Sequence, residues 1–445
     1  MNITLPACVI LAALPGFAAA NLPVCNVRDF GAAGDGRQKD TSAIQSAIES
    51  CAKGGGGTVF LPPGRYLTGA ISLRSHITLD VGPGAVLLAS EEPADYPLRE
   101  SVYDAERKSV SSLIWADGVE DITLTGRGTI DGQGQIWWKR QWFAFPKKNM
   151  PQAKTPEDFA EARKIANGRP HLIEIVRSRD VVIERLHLVN SPSWTVHPLL
   201  CEFVRIDGIT IENPVPSPNT DGINPESCRN VQIVNCRIDV GDDCVTLKSG
   251  ANEAGRKMGK PDENITIANC VMLKGHGGVT IGSEMSGGVR NVVINNCVFQ
   301  GTDVGIRIKS QRGRGNVVEG LTASNIVMQD VRSAFTITTF YQGSDKPEDV
   351  FPVNEGTPKF RDFHFSNITA RGSATAGEVT GLREMPVEDI TFSDVHIQAK
   401  TGMKITNAKN IVFRGVTIDA GSGSAAILRN STGIDTGGMK SEAVK

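Results

Sequence analysis

The chain is short of three things, and each shortage excludes a class of protein. It carries almost no net charge: 49 acidic residues against 47 basic ones leave −2. Nucleic-acid binding, which needs a basic excess, is therefore not expected. Aromatic residues make up only 6% of the 445 positions, while glycine occurs 47 times. That balance fits many short strands with tight turns better than a helical bundle. Beyond residue 20 no apolar run is long enough to cross a bilayer, so no membrane partner is expected. The one apolar stretch, MNITLPACVILAALPGFAAA, ends in Ala18-Ala19-Ala20 before Asn21. It reads as a signal peptide over residues 1–20 with a small-residue cleavage pattern, and predicts a soluble, secreted or periplasmic mature chain. Cleavage removes Cys8 from the nine cysteines and leaves eight in a compartment that permits disulfides.

What the chain has is a phrase that keeps returning. It reads Glu-Asp-Ile-Thr-Leu at 120–124, Arg-Asp-Val-Val-Ile at 179–183, Glu-Phe-Val-Arg-Ile at 202–206 and Arg-Asn-Val-Gln-Ile at 229–233. Copies follow at Glu263, Arg290, Glu319, Arg361, Glu388 and Lys409, with steps of 59, 23, 27, 34, 27, 29, 42, 27 and 21 residues. The step of 59 points to a missed copy or an insertion. Short β-branched strands at such a period predict an all-β solenoid, a single parallel β-helix whose coils stack and bury one continuous core. Five residues past the second residue of the phrase stand Asn235, Asn269, Asn296, Asn325, Asn367 and Asp394. Asn tolerates the left-handed backbone of a turn, so stacked coils predict an asparagine ladder. The next position holds Cys236, Cys270, Cys297, Ile326, Ile368 and Val395. Cysteine alternating with Ile and Val reads as a small buried hydrophobe, so these three thiols are expected to be reduced.

Around this solenoid, Asp40-Thr41 followed by the stripe Ala43, Ile44, Ala47, Ile48 and Cys51 predicts a capped helix over the open N-terminal edge. Cys25 and Cys51 flank that helix and are candidates for a bridge; Cys201 and Cys228, at equivalent positions of adjacent coils, are a second candidate pair. Residues 135–170 interrupt the repeat with Trp137, Trp138, Trp142, a proline-lysine stretch and a helix expected near 156–166. The expected organisation is a catalytic β-helix over 21–430 and a loose polar tail over 431–445.

Four consecutive coils depart from the bland pattern. Asp221-Gly-Ile-Asn-Pro-Glu-Ser227 aligns with Asp243-Cys-Val-Thr-Leu-Lys-Ser249, then with Gly277–Ser283 and Val304–Ser310. Strand alternation sends Ile223, Val245, Val279 and Ile306 inward. Asn224, Thr246, Thr280 and Arg307 then face outward, with Glu226, Lys248, Gly282 and Lys309. The register sets Asp221 beside Asp243, and Asp242 beside His276, at the strand spacing of about 4.8 Å. Any one of these motifs alone is an ordinary turn or a solvated face. Three stacked carboxylates repel one another and weaken a fold, so together they ask for a functional reason. Crowding pushes their titrations apart, giving one acid and one base at one pH, as glycoside hydrolysis requires. Arg307 and Lys309, with Lys248 as a further candidate contact, suit a substrate that itself carries carboxylates.

The motifs Asn219-Thr220-Asp221, Gly241-Asp242-Asp243, Gly275-His276-Gly277 and Arg307-Ile308-Lys309, in this order, resemble those of the polygalacturonases of glycoside hydrolase family 28. So does the opening Val27-Arg28-Asp29-Phe30-Gly31-Ala32. The resemblance implies a right-handed β-helix and hydrolysis of α-1,4-galacturonosyl linkages in pectin with inversion, without metal or cofactor. It implies Asp242 as general acid, Asp221 and Asp243 around the attacking water, His276 tuning Asp242, and Asn219, Arg307 and Lys309 holding substrate. Fungal members bridge the cysteine after the Asp-Asp pair to one just before Gly-His-Gly; Cys270 falls on the core ladder instead. Asn-Ser-Pro-Ser-Trp-Thr-Val-His-Pro at 190–198 resembles bacterial members, which makes Trp194 and His197 weaker candidates for substrate contact. The insertion is expected to wall off one end of the groove, its tryptophans and lysines meeting a chain terminus, so that attack is exo. The alternatives are endo attack or a modified pectin, a calcium-dependent pectate lyase, and a non-catalytic glycan-binding β-helix.

Overall fold

A computed structural model describes residues 23–103, 106, 108–342 and 345–444. The expected signal peptide, with Cys8, lies outside the described residues. Three parallel ladders wind about one core, which makes the chain a parallel β-helix; right-handed winding is the hand that parallel crossovers take. The repeated phrase forms the first ladder. Its inward residues run Ile122, Val181, Val204, Val231, Ile265, Val292 and Leu321, each paired with the next. Ile130, Leu188, Ile211, Ile238, Met272 and Phe299 continue the second ladder in the same manner. The third runs Ile71, Ile114, Ile173, Val196, Ile223, Val245, Val279 and Ile306.

Glu120 pairs directly with Arg179, so the step of 59 is an insertion within one coil and hides no missed copy. Earlier coils do exist that the phrase did not reveal. Val24–Asn26, Gly57–Leu61 and Ile77–Val81 stack below Glu120–Gly126. Over the open edge lies α1, Thr41–Lys53, with Ile44, Ala47, Ile48 and Cys51 buried. The Asp40 carboxylate does not cap this helix. It accepts the amides of Ala33 (2.7 Å) and Gly34 (3.0 Å) and so anchors the preceding turn. Cys25 and Cys51 are disulfide-bonded. Cys201 and Cys228 are not: both are free and buried, and the Cys201 amide donates to Cys228 Sγ (3.4 Å). Cys236, Cys270 and Cys297 are free and buried, as the ladder requires, and Cys244 is free as well.

Asn235, Asn269, Asn296, Asn325 and Asn367 all take left-handed φ near +55°. Their amides bond along the stack, Asn269 to Asn235 and Asn296 to Asn269 at 3.4 Å, Asn367 to Asn325 at 2.7 Å. Asn325 breaks the rule and donates to Asn295 instead. A second, shorter ladder joins Asn230, Asn264 and Asn291 at the second residue of the phrase. The insertion contains α2, Gly134–Ala144, and α3, Pro156–Arg163. The tail past residue 430 is not loose: Thr432–Asp435 and Ser441–Val444 add two strands to the last coil, satisfying its exposed backbone edge.

Candidate active site

The expected register holds at the aspartates. The Gly222 amide donates to Asp243 O (3.0 Å), and the His276 amide to Asp242 O (2.9 Å). One carboxylate oxygen each from Asp221, Asp242 and Asp243 lies within 4.8 Å of the others. Asp221 and Asp243 are buried, 4% and 2% exposed, whereas the Asp242 side chain is 18% exposed. Each carboxylate has different partners. Asp243 Oδ1 accepts from Arg307 (3.1 Å) and Oδ2 from Lys309 (2.8 Å). Burial opposes its charge, but the two cations prevail and hold its pKa well below the carboxylate range. Asp221 has no such cation in contact; Thr246 Oγ1 alone approaches it, at 3.5 Å. Burial, and then the charge of Asp242, push its pKa up to about 8. Asp242 Oδ1 accepts both the Asp243 amide (2.9 Å) and His276 Nδ1 (3.0 Å), which leaves Oδ2 free and facing the opening. The bond to Asp242 raises the His276 pKa against a smaller opposing effect of burial.

Several outward-facing residues do not meet solvent as the alternation suggested. Asn224, Thr246, Thr280, Glu226, Lys248 and Lys309 are buried. At Glu226 the reason is cover: the hairpin from Leu98–Glu100 to Lys108–Val110 and the helix α4, Asn252–Met258, line the same cavity. Lys248 Nζ binds Glu284 (3.0 Å) and lies 4.7 Å from the Trp194 ring centre, so it is a buried counter-ion beside the site. Arg307 and Lys309 also approach Tyr341, at 5.4 and 4.7 Å from the ring centre. Asn219 is exposed and its Oδ1 accepts from Arg169 (2.9 Å).

Immediately upstream lies a cavity of about 1060 Å³. Arg169, His171 and Trp194 form its border with the aspartates. Trp194 stacks on His171, rings parallel with centres 5.0 Å apart. His197 lines the cavity but is buried, and its two ring nitrogens face Glu174 (3.4 Å) and Glu226 (2.9 Å). Burial disfavours its charge; bonds to the two glutamates outweigh that and raise its pKa to about 9. It is a charge keystone rather than an open substrate contact. Arg99 and the Ser112 hydroxyl (2.8 Å) complete the shell of Glu174, while the Tyr103 hydroxyl donates to Glu226 (2.6 Å). Two groups among the described residues are close enough to share a cation, the three aspartates and His171/Glu174/His197. In the first, Arg307 and Lys309 pair with Asp243; in the second, Arg99 and His197 pair with Glu174.

The tryptophans of the insertion do not reach this cavity. Trp137 and Trp138 are buried, Trp138 Nε1 donating to Ser191 O (2.9 Å) and Trp137 meeting Tyr96 edge-on. Hydrophobic burial of two indoles against the coil outweighs any exposure in a groove. Of the insertion, Asn167 and Arg169 line the cavity. Arg99, Tyr103, Arg169, His171, Glu174, Glu284 and Tyr341 were not singled out in the sequence. For Glu174 a signal existed: aligning Ile173 with Val196 and Ile223 sets Glu174 beside His197.

A solenoid whose outward face gathers three carboxylates of unequal protonation beside a sugar-sized cavity defines a glycoside hydrolase of the β-helical class. The match to known proteins is more specific. Residues 98–408 match the model of glycosyl hydrolases family 28, and residues 24–112 a model for rhamnogalacturonase A/epimerase, pectate lyase-like. The chain belongs to glycosyl hydrolase family 28. It is 37% identical to a probable polygalacturonase of Vitis vinifera, over 84% of this chain and 74% of that one. It is 30% identical to an endo-polygalacturonase of Pectobacterium carotovorum subsp. carotovorum, over 82% and 86%. Among solved structures it resembles an exopolygalacturonase of Thermotoga maritima, with TM-score 0.75 and 32% identity over 88% of this chain and 92% of that one.

Proposed function

We propose that this protein hydrolyses α-1,4-galacturonosyl linkages of polygalacturonan from the chain end, with inversion. The observation that carries the hydrolytic reading is the grouping of three carboxylates within 4.8 Å in unequal surroundings: Asp243 is bonded to Lys309 and Arg307, whereas Asp221 is buried with Thr246 as its side-chain partner, so burial raises its pKa. With substrate bound, the proton is carried by Oδ2 of Asp242, the most exposed side chain of the three, whose Oδ1 alone accepts hydrogen bonds among the described residues; Oδ2 gives it to the leaving oxygen. Asp221, then ionised, takes the proton of a water that Asp243 helps to orient. His276 keeps Asp242 turned toward the leaving group. Arg307 and Lys309, on the downstream side, keep Asp243 ionised and oriented.

End attack rests on the upstream cavity. Its lining includes Arg99, Ser101–Tyr103, Lys108–Val110 and residues of α4, and none of the tryptophans of the insertion; we read this lining as a wall across the groove. A polymer running past the aspartates would meet that wall; a chain end would fit before it. Among the described residues no helix is long and apolar enough to cross a membrane. A polymeric substrate places the work outside the cytoplasm, with residues 1–20 as the export signal. Export of this chain followed by N-terminal sequencing should give a start at Asn21.

A product time course on polygalacturonic acid tests the proposal. Reducing ends should appear without the ultraviolet-absorbing unsaturated product of a lyase, and a chelator should leave the rate unchanged. Monogalacturonate should be present from the first time points while viscosity falls slowly. A rapid viscosity drop with mixed oligomers would establish endo attack, and unsaturated products would overturn hydrolysis altogether.

A further inference from the structure

Arg169 lines the cavity and also touches the turn that carries Asp221. Its Nη1 donates to the carbonyls of Pro192 and Pro218, both at 2.7 Å, and its Nη2 to Asn219 Oδ1 at 2.9 Å. All three acceptors are neutral. A guanidinium carries five N–H donors, so Nε and one hydrogen of Nη2 remain, the pair of donors that can hold a carboxylate side-on. Apart from Lys108, which lines the cavity on the hairpin strand Lys108–Val110, the neighbouring cations are paired. Arg99 is paired with Glu174, Lys257 with Glu253, Lys248 with Glu284, and Arg307 and Lys309 with Asp243. Burial draws the pKa of Arg169 down to about 10, with Asp221 and Asp242 opposing, so it is charged at neutral pH. A second observation lies on the outward column of the catalytic coils. Asn224, on the strand position between His197 and Thr246, is fully buried, yet its Oδ1 and Nδ2 have no partner. A polar side chain in that state is matched to a ligand that brings its own donors and acceptors, such as sugar hydroxyls.

We propose that Arg169 is the receptor for the carboxylate of the galacturonate ring bound upstream of the scissile bond, with Asn224 meeting a hydroxyl of the same ring. This rests on the reading of function above. The leaving side is fixed downstream by Asp242 Oδ2, His276 and Arg307, so the ring under attack lies toward Trp194 and the cavity. Its carboxylate enters next to Asp243 and Asp221, which repel it, and needs a countercharge that is not already neutralised. Arg169 supplies that charge in planar, side-on form, which lysine cannot reproduce.

Arg169 also ties down the turn carrying Asn219 and Asp221, so loss of activity alone proves nothing. The test compares two substrates, digalacturonate and the analogue whose non-reducing ring has its carboxylate reduced to hydroxymethyl. Wild type should prefer the acid. In Arg169→Gln, kcat/KM should fall about tenfold to a hundredfold on the acid but little on the analogue, so that the preference collapses. Arg169→Lys, which keeps the charge without the fork and guards against a folding defect in the first variant, should show an intermediate preference. Equal losses on both substrates, with the preference unchanged, would make Arg169 a structural prop and overturn the inference, as would a wild type that does not discriminate. A wild type that cleaves neither galacturonide would refute the reading of function instead.

Discussion

Asp221→Asn should make the protein more stable and nearly inactive at once. In the unfolded chain an aspartate ionises above a pH of about 3.9. In the fold, Asp221 retains its proton until about pH 8, because it is buried and faces Asp242. Between these values the native state binds the extra proton, so stability falls as pH rises, and the fall is complete once the folded pKa is passed. At 1.36 kcal/mol per unit over roughly three units, the cost reaches about 4 kcal/mol at pH 7. Sharing of the proton with Asp242 moves part of this to its neighbour, so about 2–4 kcal/mol should be recovered by the substitution. Asparagine fills the same volume and still accepts from Thr246. The assay is denaturant unfolding of wild type and variant at several pH values, read as a midpoint shift at constant slope. The advantage should be small near pH 4 and grow steadily to pH 7.5. Asp243→Asn provides the opposite sign in the same site, since it strands Lys309 and Arg307 without their carboxylate. An Asp221→Asn variant no more stable than wild type at pH 7, or one whose gain does not grow with pH, would refute the assignment of the buried proton.

Asp242→Asn should lower turnover by several orders of magnitude with little change in stability, because the residue is the least buried of the three; near-normal turnover would remove it from the chemistry. In wild type, kcat/KM should decline as pH rises through about 8, where Asp221 loses its proton and has none to pass to Asp242, and a flat profile to pH 9.5 would contradict this. His197→Ala leaves Glu174 and Glu226 buried without their shared cation and should cost about 3–5 kcal/mol at pH 6. Since the folded pKa is about 9 against about 6.5 unfolded, the contribution is complete below pH 6.5 and is lost as pH rises through 9, so the deficit should shrink there. Replacing Cys25 and Cys51 by serine opens a loop of 26 residues and should cost about 3.5 kcal/mol by chain entropy, read as a lowered Tm in the non-reduced protein.

The residues legible in the sequence are those at fixed offsets from the repeated phrase. Asp221, Asp243, His276 and Arg307 each stand at a fixed offset from a strand motif that recurs in successive coils, so counting from that motif is equivalent to stepping up the stack even though the coils differ in length. The same counting found the asparagine and cysteine ladders. It missed the first coils, where Gly57–Leu61 and Ile77–Val81 lack the charged lead of the phrase. It also missed everything that reaches the site from a loop. Tyr103 meets Glu226 across 123 positions, and Arg169 meets Asn219 across 50, through segments with no period to count. The tryptophans of the insertion failed for a different reason. Aromatic residues in a long loop suggest a binding surface, but α2 has a coil to pack against, and burial of Trp137 and Trp138 is worth more than exposure to a polar sugar.

The coil also explains how one protein tolerates so many charges at one place. Along the four catalytic coils the inward column, Ile223, Val245, Val279 and Ile306, is unbroken aliphatic, and each residue is buried. The outward column of the same strands carries Asn224, Thr246, Thr280 and Arg307, one residue away and on the opposite face. Because alternation separates the two columns completely, a charge can be added outside without a cavity or a polar atom inside. What remains is repulsion among the outward groups, and the stack limits that locally: Lys309 reaches back to Asp243 across two coils, Lys248 pairs with Glu284, and His197 sits between Glu174 and Glu226. Asp221 is the exception, with no cation bonded to it. The fold therefore concentrates its electrostatic cost on the buried carboxyl that faces the attacking water, and compensates the groups around it.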